Sequence, residues 1–226
     1  MIHSVYGIYG VGGFAREILP LLRDEIKDKK GVKIYFVVDD QYITDKKILN
    51  EIEIISFNNF KELKNIHKFL TVGFSNTIRR IEVFEYCQKN NIKLLNIKAS
   101  NIVVMDNVQI GDGSILCPFV TLTSDIIIGK GFQANIYSYV AHDCIIGDYV
   151  TFAPAVKCNG NVHIGDNVYI GAGAIIHPGK PNKPLKIGRD VVIAAGAVVT
   201  KSLPEGVTVF GNPAIEFTKE NIKRRL

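Results

Sequence analysis

The apolar positions of residues 104–204 recur every six residues. Counting in sixes gives Ile110, Leu116, Leu122, Ile128, Ala134, Val140, Ile146, Phe152, Cys158, Ile164, Ile170 and Ile176, an unbroken phase in which every position is apolar. Val104 extends the register backwards, and after a slip through Lys180–Lys186 it resumes at Ile187, Ile193 and Val199. A fixed short period marks a solenoid, whose repeats bury their faces only against their neighbours. Small or β-branched residues such as Val120, Ile126, Val150, Val156 and Val162 follow four positions later, as suits a pleated, half-buried surface. Gly often directly follows the phase-setting residue (Gly111, Gly129, Gly147, Gly165), with Asp or Asn close behind, which reads as turn chemistry. Each hexad therefore predicts one short strand and one corner, and three hexads predict one turn of a triangular coil. A run of antiparallel hairpins is the alternative, but hairpin strands rarely keep one phase across so many turns.

Residues 1–98 follow a different rhythm. Strand-like runs at Val5–Tyr9, Val32–Val38, Ile52–Ser56 and Phe69–Gly73 alternate with helical patterns. The first helix runs to about Ile26, a short one spans Asn58–Leu63 with Asn58 or Asn59 as its cap, and a third spans Asn76–Asn90 with Ser75 as its cap. Alternation of this kind predicts a small parallel sheet of Rossmann type. The chain thus divides into an α/β domain, 1–98, and a parallel β-helix domain, 99–226, which carries a C-terminal tail.

The first turn reads Gly10–Val11–Gly12–Gly13–Phe14–Ala15, a G-x-G-x-x-A pattern. Glycines there let backbone approach a phosphate or sugar, and a helix N-terminus offers N–H groups to an anion. Asp39 and Asp40 follow the second strand, where a carboxylate meets a ribose or base. A tight turn with no ligand is the competing reading. A nicotinamide cofactor fits less well, because the domain has about half the strands of a full dinucleotide fold.

Composition narrows the field. The sequence contains no apolar run long enough to span a membrane, and residues 4–9 open directly into a strand without a basic leader, so the expectation is a cytoplasmic protein. The cysteines, Cys87, Cys117, Cys144 and Cys158, are too widely spaced for a CxxC metal pattern, and Cys144 and Cys158 occupy inward hexad positions as small hydrophobes. The net charge of +5 includes Lys219, Lys223, Arg224 and Arg225 at the C-terminus, a solvated tail or a weak steering patch for a polyanion. No nucleic-acid motif is present.

A regular coil has almost no cavity, so its chemistry lies on the outside, at loops or between copies. Asn135 to Cys144 breaks the hexad routine, and His142 and Asp143 fall on the corner between inward Val140 and Cys144. A neutral imidazole suits proton removal near neutral pH, and a nearby carboxylate fixes its tautomer. His3, His67, His163 and His177 read as inert. The spacings between His142, His163 and His177 are not multiples of the hexad, which places them on different corners and argues against a metal site.

Taken with Gly10–Glu17, Asp39–Asp40, the hexads and the terminal Phe210–Gly211–Asn212–Pro213–Ala214, this segment makes the whole chain resemble the left-handed β-helix (hexapeptide-repeat) acyltransferases. Within them it is similar to bacterial nucleotide-sugar N-acetyltransferases and sialic acid O-acetyltransferase-like proteins. It most resembles those acting on the 4-amino group of GDP-perosamine or of a dTDP-linked 4-amino-4,6-dideoxyhexose, in pathways to surface polysaccharides such as O-antigen. The resemblance implies His142 as catalytic base with Asp143 in support, where many members have Glu. It implies Asn135 and the Gly12, Gly13, Asp39 and Asp40 pocket as substrate-binding, and Gly160, Ala172, Asn212 and Pro213 as acetyl-CoA-binding. It implies acetyl-CoA as co-substrate, no metal, and a homotrimer with acetyl-CoA between neighbouring coils. Two positions depart from the family: Thr151 replaces a second histidine, and Ala155 stands where glycine is common. Sialic acid O-acetylation and a non-catalytic scaffold remain the alternatives.

Overall fold

A computed structural model describes residues 2–45, 47–64 and 66–223, which places Arg224 and Arg225 outside the described residues. The chain divides into two compact units, Met1–Ile97 and Lys98–Leu226.

The first unit is built on a sheet ordered β3-β4-β2-β1-β5-β6. Its strands are β1 (Ser4–Tyr9), β2 (Val32–Val38), β3 (Ile48–Leu49), β4 (Ile52–Ser56), β5 (His67–Val72) and β6 (Lys93–Leu94). Helices α1 (Gly13–Ile26), α2 (Phe57–Glu62) and α3 (Thr77–Lys89) connect them. Pairing is parallel, except that the short β3 runs antiparallel to β4. The central strand β1 is buried over Val5–Tyr9 and accounts for the apolar run there. α1 presents Ala15, Ile18, Leu19, Leu22 and Ile26 to the core, the i, i+3, i+4 stripe of an amphipathic helix.

Both cap assignments from sequence shift. The Ser56 hydroxyl, not Asn58 or Asn59, caps α2 by accepting from the Asn59 N–H at 3.1 Å. The Asn76 side chain, not Ser75, caps α3 by accepting from the Arg79 N–H at 3.0 Å. In each case the cap is the residue three positions before an orphan N–H, which short polar runs do not distinguish by composition.

The second unit is a parallel β-helix with three faces, and each strand stacks on the one a full triangular turn before it, as Ile115 pairs with Gln133. One face runs through Ile115–Leu116, Gln133–Ala134, Thr151–Phe152 and Tyr169–Ile170. A second runs through Val103–Val104, Thr121–Leu122, Tyr139–Val140, Lys157–Cys158, Ile175–Ile176 and Val198–Val199. The third runs through Val108–Ile110, Ile126–Ile128, Ile145–Ile146, Val162–Ile164 and Leu185–Ile187. The hexad residues from Leu116 to Val199 form one buried column, with Cys144 and Cys158 in it as the sequence predicts. Truncating such a side chain to Ala typically costs about 2–5 kcal/mol. The phase slip is a loop closed by an antiparallel bridge between Lys180 and Lys183. A hairpin of Thr208–Phe210 and Ile215–Glu216 and a helix, α4 (Lys219–Lys223), end the coil, neither of which the hexads predict.

The corners are left-handed and fall into columns. One holds Asn107, Asp125, Asp143 and Asn161, another Phe119, Tyr137, Ala155, Gly173 and Gly196. The hexad glycines do different work from that expected of turn residues. A Cβ on Gly129 would lie 2.3 Å from Asp148 Oδ1, and one on Gly147 would lie 2.4 Å from Asp166 Oδ1. Those aspartates accept backbone N–H groups of the preceding coil, Lys130 at 2.9 Å and Asp148 at 2.8 Å. Gly129 and Gly147 therefore give clearance to a carboxylate ladder between coils, whereas a Cβ on Gly111 or Gly165 would meet the backbone of the next coil at 2.5 and 2.6 Å.

Candidate active site

Two separate places carry the predicted chemistry. On the coil, His142 and Asp143 are exposed at a corner, with Asp143 in the left-handed conformation that Asp tolerates. Asp143 Oδ2 lies 2.7 Å from His142 Nδ1. The carboxylate holds the proton on Nδ1, which leaves the lone pair on Nε2. It also raises the His142 pKa above the ordinary imidazole value, chiefly through this hydrogen bond. The corner's backbone is tied to both neighbouring coils: Asp143 N–H donates to Ser124 O at 3.2 Å, and His142 O accepts from Asn161 N–H at 2.8 Å.

Gly160 is buried against this imidazole. A Cβ there would meet His142 Cε1 and Nε2 at 2.6 Å. The absence of a side chain at residue 160 is thus a condition for the ring's position, a relation between consecutive coils that the hexad pattern alone does not reveal. Asn159 braces the same coil: it accepts from the Tyr139 hydroxyl at 2.9 Å and donates to Ile176 O at 2.7 Å. Cys144, directly inward, donates its thiol to Asn159 O at 3.3 Å.

His142, Asp143 and Gly160 therefore come together, while the other coil residues stand apart. Asn135 ends the strand Gln133–Ala134, and its Oδ1 accepts from the Ile136 N–H at 2.7 Å. Ala172 is exposed beside Gly173 in the Tyr137–Ala155–Gly173–Gly196 corner column, and its carbonyl accepts from Gly196 N–H at 2.8 Å. Asn212 and Pro213 are exposed in the terminal hairpin, next to Gly211, whose carbonyl accepts from Val198 N–H at 3.0 Å. Ala172 and His142 thus occupy different corner columns of the same β-helix. Thr151 is buried within its strand.

In the first unit, a cavity of about 890 Å³ opens at the carboxyl ends of β1 and β2. Connections diverge to either side of β1 at this point, because β2 flanks it on one edge and β5 on the other. Ligands of open α/β sheets bind at such a switch point. Gly10, Val11, Asp39 and Asp40 line the cavity, joined by Tyr9, Tyr42, Phe74 and Arg79. Gly12 and Gly13 begin α1 just beyond Val11, facing open space rather than the cavity lining.

Asp39 is held by a network that the sequence did not show. Both the Tyr9 hydroxyl and the Arg79 guanidinium donate to its Oδ1. Arg79 also donates to Tyr9 Oη at 2.7 Å and pairs with Glu82 at 2.6 Å. Burial, then the bond to Asp39, raises the Tyr9 pKa, so its hydroxyl stays protonated. These partners come from β1, the end of β2 and α3, up to 70 residues apart. The Gly10 turn located the pocket, but only the fold assembled its wall.

No group of three or more His, Cys, Asp or Glu suited to a metal occurs among the described residues, and none of their helices is long and apolar enough to cross a membrane.

Comparison with known proteins places this geometry in a lineage. Residues 161–201 match the family described as hexapeptide repeat of succinyl-transferase. A GDP-perosamine N-acetyltransferase of Escherichia coli O157:H7 is 47% identical over 216 residues, covering 96% of this chain and 97% of that protein. The structure of WeeI from Acinetobacter baumannii AYE superposes with a TM-score of 0.89 at 47% identity, covering 95% of this chain and all (100%) of that one. The acetyltransferase domain of PglB from Neisseria gonorrhoeae FA1090, in complex with acetyl coenzyme A, gives a TM-score of 0.82 at 25% identity, covering 95% of this chain and 100% of that one. The chain belongs to the hexapeptide-repeat sugar N-acetyltransferases, the family that includes the GDP-perosamine N-acetyltransferases.

Proposed function

We propose that this protein transfers the acetyl group of acetyl-CoA to the 4-amino group of a nucleotide-linked 4-amino-4,6-dideoxyhexose, of the GDP-perosamine type, in the cytoplasmic synthesis of a bacterial surface polysaccharide. The observation that carries the reading is the His142–Asp143 pair, with Nδ1 committed to the carboxylate at 2.7 Å and Gly160 against the Nε2 edge. The near-full-length similarity to a GDP-perosamine N-acetyltransferase supports the substrate class.

In this mechanism the sugar amine attacks the thioester carbonyl carbon. As the C–N bond forms, His142 Nε2 accepts a proton from nitrogen, and Asp143 stabilises the resulting imidazolium. The Gly160 N–H meets the developing oxyanion, a donor type typically worth about 3 kcal/mol in catalysis. Collapse breaks the C–S bond, and the coenzyme thiolate leaves and takes up a proton. No acyl-enzyme is required, because holding amine and thioester together lowers the barrier directly. Asn135 orients the sugar, and Ala172, Asn212 and Pro213 line the acetyl-CoA path. The Rossmann-like domain, 1–98, holds the nucleotide in the cavity lined by Gly10, Asp39 and Asp40, with Gly12 and Gly13 just beyond it at the start of α1, and the coil domain, 99–226, supplies the base. The acetyl-CoA path is proposed to lie in the groove between neighbouring coils of a homotrimer, a reading supported by the placement of His142 and Ala172 on different corner columns.

The test is thiol release from acetyl-CoA with GDP-, dTDP- and UDP-linked 4-amino-4,6-dideoxysugars and with sialic acid. Turnover on an amino sugar that collapses in His142→Ala, with acetyl-CoA affinity kept, is the expected result. Activity on sialic acid alone, or wild-type turnover in the variant, overturns the proposal.

A further inference from the structure

The direction of the Gly160 N–H is set by the peptide plane it shares with the Asn159 carbonyl. A trans peptide places its oxygen and its N–H on opposite sides. The Asn159 oxygen faces inward, where it accepts the Cys144 thiol at 3.3 Å and the Cys158 thiol at 3.8 Å, both buried in the coil. The Gly160 N–H therefore faces outward, the side on which His142 is exposed, and it has no acceptor among the described residues. On its other side Gly160 is held by its own carbonyl, which accepts from Gly179 N–H at 3.0 Å.

The Asn159 side chain clamps this plane between two other coils. Its Nδ2 donates to Ile176 O at 2.7 Å, one coil on, and its Oδ1 accepts from the Tyr139 hydroxyl at 2.9 Å, one coil back. The amide thus uses its donor and its acceptor in opposite directions along the stack. Burial raises the Tyr139 pKa, so the hydroxyl remains a donor. The repeat does not demand this clamp. Thr123, Ala141, Asn159 and His177 hold the same place in successive coils, their N–H groups donating in turn to Val140, Cys158, Ile176 and Val199 carbonyls. The same backbone bond serves all four, so the ladder needs no amide side chain at residue 159.

We infer that Asn159 and Tyr139 are positioning residues that aim the Gly160 N–H at the oxyanion of acetyl transfer. The inference rests on the proposed reaction, in which that N–H meets the developing charge. An oxyanion donor acts only if it is fixed in advance at about 2.7–3.1 Å from the place the oxygen will take, and a misplacement of about 1 Å can cost about a hundredfold in rate. The pair serves the oxyanion side of the reaction. Proton removal stays with His142 and Asp143, whose hydrogen bond Asn159 and Tyr139 do not touch.

The experiment combines steady-state kinetics, pH profiles and crystal structures of the full-length wild type, Tyr139→Phe, Asn159→Ala and the double variant. Tyr139→Phe is expected to lower kcat about three- to tenfold, the worth of one hydrogen bond, and Asn159→Ala about 10- to 100-fold. KM for both substrates should stay within about twofold, because the donor acts in the transition state. The acid limb of the pH–rate profile should not move, because the base is untouched. The double variant should be no slower than Asn159→Ala, since the hydroxyl acts through the amide. In the crystal, Gly160 N should shift by more than about 0.5 Å in Asn159→Ala with His142 in place. A rise in KM alone would make Asn159 a substrate contact, a moved limb would make it act through the imidazole, and losses that multiply in the double variant would make the two residues independent; each overturns the inference. So does an undisplaced Gly160, or a loss of kcat no greater than the loss of folded protein. A wild type that acetylates no amino sugar removes the proposed reaction, and the position of Gly160 in the variant crystals then still decides the positioning role.

Discussion

The α/β unit and the coil place polar chemistry in opposite ways. The first unit gathers residues from distant elements into a cavity, where Arg79 is shared among Asp39, Glu82 and Tyr9. The coil keeps its chemistry on an exposed corner, where His142 and Asp143 are sequence neighbours and one glycine sets the ring's place. A sheet with crossover helices creates concavity at its strand ends, so recognition concentrates there. A prism filled by its own side chains has only corners to offer, so a polar pair on it stands exposed, with its position set by the stacking of the coils.

Variants separate the two roles. The largest effect belongs to the coil. His142→Ala should lower kcat by about 10²- to 10⁴-fold, the usual worth of a positioned base, while GDP binding measured by calorimetry stays unchanged. A parallel loss of GDP binding would mean that the division of labour fails.

Gly160→Ala comes next. Its methyl group would lie 2.6 Å from the imidazole, so the ring must move, and turnover should fall about 10- to 100-fold. A crystal structure of the variant with an undisplaced His142 would contradict this explanation.

Asp143→Asn tests the proton chemistry. The bond to Asp143 raises the His142 pKa, so the neutral, base-competent form appears only as pH rises through that raised value. The same titration removes the stabilisation from the pair, which is fully present at lower pH and fades as the proton leaves. Asp143→Asn should move the acid limb of the pH–rate profile downward and cut kcat about tenfold, the order expected when the supporting hydrogen bond is lost. An unmoved limb would detach Asp143 from the base.

The smaller effects are structural. Arg79→Ala frees Asp39 and should weaken GDP binding about fivefold with acetyl-CoA binding unaltered, as expected for one charge-assisted hydrogen bond at a half-exposed group. Gly147→Ala forces a methyl group against Asp166 and should lower Tm, at a cost of about 1–3 kcal/mol, with the nucleotide pocket intact. If Gly147→Ala were neutral, clearance of the Asp166 carboxylate would not explain the glycine.

The hexads were legible because each inward position repeats the same local demand, burial in a column from Leu116 to Val199. The His142–Asp143 corner was legible for the same reason, as a polar exception to a strict rhythm. The Gly10 turn and the Asp39–Asp40 pair located the pocket because turn chemistry and strand ends are local features. The caps were misplaced because several short polar side chains compete and backbone geometry chooses among them.

The sequence by itself determined the coil, the α/β alternation and the corner that carries the imidazole, since these follow from periodicity and from residues adjacent in the chain. Only the tertiary structure decided that Arg79 and Tyr9 hold Asp39, that Gly160 faces His142, and that Gly129 and Gly147 clear a carboxylate ladder. Those contacts join residues far apart in the chain, from one turn of the coil to most of the first unit, and such distances are set by how strands stack and helices return, which no local pattern encodes.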